Sequence, residues 1–287
     1  MISDNDFTYT HAPGLRDTFA GVRVSINSEG FRGPEFKIIK EPGRKRIMVL
    51  GDSVVFGWGV SQDAILTARL QESLYDLKPN SEVIACGVGS WNTRSEFEFL
   101  KKRGVLYAPD ILVLLITSND LEPKESGHTD VPREKLRLYM YGRNSQTFFD
   151  KVWSFVISHI VRRSYMLTYA LHSYTIHTYK DTMRLLYDEK SPCWEDARRA
   201  LGDMVRLCRE NKISLVVYLY GQAGTSDLGY MERTFGTFLM KEGVPYHTFS
   251  PDIFDAKYGN SSVDSHRNGA ANKRMADDIL NTLKPLL

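Results

Sequence analysis

Four side chains in this sequence have the types and the order that acyl transfer needs: a hydroxyl, an amide, a carboxylate and an imidazole. Ser53 lies in "RIMVLGDSVVFGWGV", Arg46 to Val60, where an apolar run stops at Gly51-Asp52-Ser53 and small residues follow. A buried strand that ends this way and opens a helix directs backbone N–H groups outward, which is where α/β proteins place reactive groups. Asn119 ends a second apolar run in "TSND", and the turn Gly87-Val88-Gly89-Ser90 ends a third. Near the C-terminus, "VDSHRNGAANKRMADDIL" sets Asp264 two residues before His266 in a loop ahead of a helical stripe of Ala271, Met275, Ile279 and Leu283. Together they supply a nucleophile, a base, a carboxylate to orient the base, and donors for an oxyanion.

The elements that must position these groups can be read from the same apolar runs. Ile47 to Leu50, Val83 to Cys86, Ile111 to Ile116 and Ile213 to Tyr220 read as buried strands, with a weaker fifth at Val244 to His247. Helical patterns lie between them. Leu66, Leu70, Leu74 and Leu77 give one apolar stripe, for which Asp63 is the expected cap, and Thr93-Arg94-Ser95-Glu96 reads as a capping box before Phe97 and Leu100, with Gly104 as the stop. Alternation of strand and helix predicts parallel pairing, right-handed crossovers and a doubly wound α/β three-layer sandwich. In such folds ligands sit at the C-terminal ends of the strands, and Ser53, Ser90 and Asn119 all fall there.

The chain is read as a single domain over residues 1–287 with two additions. Residues 1–44 form an arm containing "INSEGFRGPEF", whose glycines and Pro34 suit turns. Residues 121–190 form an insertion rich in aromatic residues, with a rough helical stripe of Val152, Val156, Ile160, Leu167 and Leu171. A helical cap over the strand ends is one use for it, a brace against the sheet another.

Composition narrows the function. The chain has 287 residues and a formal net charge of +2, which makes no strong field for nucleic acid, and no motif for reading it is present. Three cysteines without CxxC spacing argue against a disulfide framework and a zinc site. No stretch approaches the ~20 apolar residues of a membrane span, and the first residues lack a signal peptide pattern. As it stands the chain is expected in the cytoplasm, or exported or anchored if its N-terminus has been trimmed. The GxSxG elbow, GxxxxGK and HExxH are all absent.

Four blocks, "GDSVVFGWGV", "GVGSWNT", "TSND" and "DSHRN", resemble those of the GDSL or SGNH hydrolases, and the arm resembles that of a bacterial subgroup of lipase/acylhydrolase type. The resemblance implies a flavodoxin-like sheet of order 2-1-3-4-5, esterase chemistry and no cofactor. It carries over Ser53 as nucleophile, His266 as general base and Asp264 as the acid that orients it, with the Ser53 and Ser90 N–H groups and the Asn119 amide as oxyanion donors. The substrate it implies is a small-molecule or saccharide ester, cleaved by water or, in an O-acyltransferase, passed to a sugar hydroxyl. A non-catalytic binding module on the same fold is the third reading. Three positions depart from the family pattern: Ser90 and Thr117 stand where glycine is usual, and Arg267 where proline is common.

Overall fold

In the computed structural model, residues 2–3, 9–122, 186–221, 226–260 and 266–287 are described. The arm gives two short antiparallel ladders, β1 (Ile2–Ser3) with β2 (Tyr9–Thr10) and β3 (Arg16–Phe19) with β4 (Val22–Ser25). The five apolar runs become parallel strands: β5 (Lys45–Gly51), β6 (Ser81–Gly87), β7 (Ile111–Thr117), β8 (Ser214–Tyr220) and β9 (Tyr246–Thr248). They lie in the order β6-β5-β7-β8-β9, which is 2-1-3-4-5 in chain order.

Period-two alternation splits each strand between two layers. Met48, Leu50, Leu112, Leu114 and Ile116 face one side, where α3 (Thr93–Lys102) and α4 (Pro192–Glu210) pack through Phe97, Phe99, Leu100, Leu201 and Met204. Ile47, Val49, Ile111, Val113 and Leu115 face the other, against α2 (Leu66–Leu77) and α7 (Gly269–Leu283). Between α4 and α7 the chain also forms α5 (Ser226–Met231) and α6 (Thr237–Lys241). Because both faces are covered, all seven residues of β7 are buried, and the run reads as continuously apolar rather than alternating.

Three local expectations need correction. Asp63 does not cap α2: it sits in a 3-10 turn, Gln62–Ala64, and the helix begins after Ile65 without a side-chain cap. The cap of α3 is Asn92, whose Oδ1 accepts from Ser95 N–H, so Thr93 is already inside the helix and its hydroxyl turns elsewhere. α3 does stop ahead of Gly104, with Arg103 as its C-cap, and Gly104 opens a 3-10 turn, Gly104–Tyr107. Leu66, Leu70 and Leu74 are fully buried but Leu77 is exposed, since the stripe leaves the core in the last turn of α2. Truncating one of the three buried leucines to alanine should cost about 2–5 kcal/mol.

The arm is bolted to the sandwich by two buried guanidiniums. Arg32 donates to Gln62 Oε1 and to the carbonyls of Phe56, Gly57 and Val60, closing the loop that follows the first residues of the Ser53 block. Arg46, at the start of β5, pairs with Glu82 and donates to the carbonyls of Lys37, Ile38 and Tyr107. Phe31 of the arm stacks edge-on against Trp91 and Phe99, so the turn after β6 and the arm share one aromatic cluster.

Candidate active site

Ser53 opens α1 (Ser53–Phe56), a single turn at the end of β5. Asp52 caps it by accepting from Val54 N–H at 2.9 Å, and Gly57 ends it at a φ of 76°, a left-handed conformation that glycine adopts without a Cβ penalty. This turn lies directly on β6. A Cβ at Gly87 would stand 2.5 Å from the Phe56 backbone nitrogen, so only glycine there lets α1 sit close enough to hold Ser53 at the rim.

His266 meets Ser53 across the chain. Its Nε2 is 2.8 Å from Ser53 Oγ, within reach for proton transfer. The loop carrying it is pinned by backbone pairs on both sides: Asn260 N–H donates to the His266 carbonyl, and Asn268 N–H to the Tyr258 carbonyl. Asn268 also caps α7 by accepting from Ala270 and Ala271 N–H, which fixes where the loop meets the helix. Arg267 lies over the Phe254 ring. Asp264 lies outside the described residues, as does most of the 121–190 insertion, including its helical stripe.

The turn after β6 approaches Ser53 closely, since a Cβ at Gly89 would stand 4.0 Å from Ser53 Cβ. Ser90 holds a left-handed conformation, the region that favours glycine, with φ at 66°. Such a conformation costs a non-glycine residue about 1 kcal/mol, and the structure supplies bracing for it. Trp91 N–H donates to the Val88 carbonyl, Tyr9 Oη donates to the Gly89 carbonyl at 2.6 Å, and Trp91 Nε1 donates to the Tyr9 carbonyl at 3.0 Å. Burial raises the Tyr9 phenol above its ordinary range, which keeps it a donor; a Ser90 side-chain hydrogen bond acts the other way.

Asn119 stands in a 3-10 turn, Ser118–Leu121, at the end of β7. Its Oδ1 accepts from Thr117 Oγ1, so the amide nitrogen is on the branch away from Thr117. Behind it lies a buried acidic corner. Thr117 Oγ1 reaches Asp52 Oδ2 at 3.1 Å and Asp120 Oδ1 at 2.8 Å, and Asp120 also accepts from Thr117 N–H and from Thr93 Oγ1. Burial, then the neighbouring Asp52, pushes the Asp120 carboxyl up to about 7. Past the insertion, Tyr187 Oη donates to the Ser118 carbonyl and steadies the same turn.

The structure therefore brings Ser53, His266, Ser90 and Asn119 to one rim. Sequence reasoning missed three contributors. Tyr9 comes from the arm, and the Asp52–Thr117–Asp120 corner spans two strand ends. Trp58, 37% exposed, sets its ring centroid 6.2 Å from that of His266, and its carbonyl accepts from Asn260 Nδ2. The glycine-rich "FGWGV" was a signal for a tight loop there, but not for a ring beside the imidazole. Among the described residues no cluster of His, Cys, Asp and Glu is arranged to hold a metal ion, and no helix is long and apolar enough to cross a membrane.

No protein-family model matches the chain, and no curated protein matches it. Solved structures do. The crystal structure of TesA superposes with a TM-score of 0.54 at 15% identity, over 85% of this chain and 100% of its own. A lipase/acylhydrolase from Enterococcus faecalis gives a TM-score of 0.49 at 12% identity, over 85% of this chain and 97% of its own. At such identities the likeness is one of architecture: the chain has the three-layer α/β/α fold of TesA, with a five-stranded parallel sheet at its centre.

Proposed function

We propose that this protein is a serine ester hydrolase of the GDSL or SGNH type. The observation that carries the reading is the 2.8 Å contact between Ser53 Oγ and His266 Nε2 at the C-terminal rim of a parallel sheet. In this reading Ser53 Oγ attacks the ester carbonyl carbon while its proton passes to His266 Nε2. The C=O bond opens to an oxyanion, received by the Ser53 and Ser90 N–H groups and the Asn119 amide. Collapse expels the alcohol, which takes its proton from His266. A water then loses a proton to His266, attacks the acyl-enzyme, and releases the acid and free Ser53. Asp264 is assigned the role of the acid that orients His266, holding the tautomer that leaves Nε2 as acceptor.

The substrate proposed is a small acyl or carbohydrate ester, with the exposed Trp58 ring forming a wall beside the base. The arm and the insertion belong in this reading to one catalytic domain, the insertion selecting among larger substrates. The test is hydrolysis of p-nitrophenyl acetate and longer acyl esters by the full chain, with Ser53→Ala beside it. Turnover that falls by ~10³-fold or more in the variant supports the reading; equal turnover by both proteins refutes it.

A further inference from the structure

Among the described residues seven large apolar side chains stand exposed, and they are unevenly placed. Trp58 is at the catalytic rim; the other six, Ile38, Ile39, Tyr75, Leu77, Leu106 and Met240, lie on the loops and last helical turns that lead into the strands. Ile38 and Ile39 precede β5, Tyr75 and Leu77 precede β6, Leu106 precedes β7, and Met240 precedes β9. Because the five strands run parallel, all these entries fall at one end of the sheet. Neighbouring strands stand ~4.8 Å apart, so the entries make a face about 20 Å across. One exposed leucine needs no explanation, but six such side chains on one end form the kind of patch that marks a contact surface.

Ile39 is 86% exposed and Leu106 65%, and the backbone beneath them is pinned. The buried Arg46 guanidinium donates to the carbonyls of Lys37, Ile38 and Tyr107, which ties the loop before β5 to the turn before β7 and holds their side chains outward. The same face is basic. Lys78, Lys212 and Lys241, at the entries to β6, β8 and β9, are exposed and form no ion pair among the described residues. The carboxylates of Glu41, Asp110 and Glu242 are taken up by Lys37, Lys40 and Arg209, which leaves Asp76 and Glu210 in the last turns of α2 and α4. Cations at helix C-termini suit the helix dipole, but the dipole gives no reason for isoleucines beside them.

We propose that this strand-entry end seats the protein on an anionic lipid surface, with Ile38, Ile39 and Leu106 inserted at the interface and the lysines against the headgroups. The apolar groups come from separate loops and helix ends, so a protein partner would need a matching pocket for each. Nucleic acid would reward the lysines and leave the isoleucines in water. A lipid interface accepts protruding side chains wherever they fall and attracts the lysines as well. The seven residues of β7 set the catalytic rim about 20 Å from this face, so a chain seated this way keeps Ser53 open to water-borne ester. That consequence rests on the ester-hydrolase reading; the surface itself does not.

The experiment is co-sedimentation of the full chain with vesicles of phosphatidylcholine alone and of equal parts phosphatidylcholine and phosphatidylglycerol. The proteins compared are the native sequence, Ile38→Ser with Ile39→Ser, Lys78→Gln with Lys212→Gln, and Trp58→Ser. The native protein should bind the anionic vesicles about tenfold or more tightly than the neutral ones, and less tightly as salt rises. The isoleucine variant should bind about tenfold or more weakly, and each lysine lost should weaken binding about fivefold. Trp58→Ser should bind as the native protein does, because its ring is at the opposite end. All three variants should keep the native far-UV circular dichroism and unfolding midpoint, as expected for changes at exposed positions. Three results would overturn the proposal: no binding to anionic vesicles, binding unaltered in the isoleucine variant, or binding lost in Trp58→Ser. So would a dimer in solution that the isoleucine variant splits, which gives the face to a second copy of the chain. Vesicle binding by a protein that hydrolyses no ester would sustain the surface and remove the proposed function.

Discussion

The turn after β6 approaches Ser53 itself and the end of β7 bonds its neighbour Asp52, but the first is braced from outside the sandwich and the second from within it. Gly89-Ser90 is held by Tyr9, a residue 80 positions earlier, in an arm that is itself fastened by Arg32 and by the Phe31 ring. Asn119 is held by Thr117 and by carboxyls buried at the ends of two adjacent strands. The difference teaches which perturbation each donor feels. A change in the arm should reach Ser90 mechanically, through the position of a backbone turn. A change of pH should reach the second turn chemically, through ionisation of the buried Asp120.

The comparison breaks most sharply at Asn119. Asn119→Ala should lower kcat by about 10²–10³-fold with KM nearly unchanged, as expected for a donor that acts in the transition state. A rise in KM at constant kcat would make it a ground-state contact and remove the asymmetry between the turns.

The acidic corner should also show in folding stability. The Asp120 carboxyl is raised, to about 7, above the roughly 3.9 of an unfolded chain, so the folded protein binds the extra proton between those values. The contribution is fully present below the unfolded value and is lost as pH rises through the folded one. Denaturant unfolding should therefore give a midpoint that falls from about pH 4 to about pH 7, with a shallower fall in Asp120→Asn. Equal slopes for the two proteins would place the proton elsewhere.

The smallest effect belongs to the external brace. Tyr9→Phe removes the hydrogen bond to the Gly89 carbonyl and the phenol's bond with the Ser90 side chain while keeping the ring, a loss of about 1 kcal/mol or more, so kcat should fall by about threefold to tenfold without an altered pH profile. A changed pH profile in Tyr9→Phe would show that the two turns are coupled and not separately held.

How much of this was legible in the sequence follows the range of the interactions. The strands were legible because burial on both faces leaves long β-branched and aliphatic runs, and Ser53 was legible because such a run ends in Gly-Asp-Ser. The order of the sheet came from the motif resemblance, and the register Ile47–Ile111 and Ile111–Ser214 agrees with it. Thr93 reads as a cap because it adjoins the true one, Asn92, whose side chain takes the Ser95 N–H, whereas Asp63 is drawn into a 3-10 turn and leaves α2 to begin after Ile65 without a side-chain cap. Tyr9, Trp58 and the link from Thr117 to Asp52 could not be read at all. Each is a contact between residues whose separation carries no periodic signal, and the Thr117–Asp52 pair is 65 positions apart. Ser90 sits between these cases: the motif resemblance marks a glycine position, and only the structure shows the left-handed φ and the tryptophan and tyrosine bonds around a serine that occupies it.

The claim on which the rest depends is that Ser53 is the nucleophile activated by His266, and intact-mass measurement after treatment with a fluorophosphonate tests it most directly. The phosphonate phosphorus is attacked by the activated hydroxyl with loss of fluoride, so the expected result is one adduct per chain, mapped to Ser53, absent in Ser53→Ala and slowed by orders of magnitude in His266→Ala. A full-stoichiometry adduct that persists in Ser53→Ala would contradict the assignment.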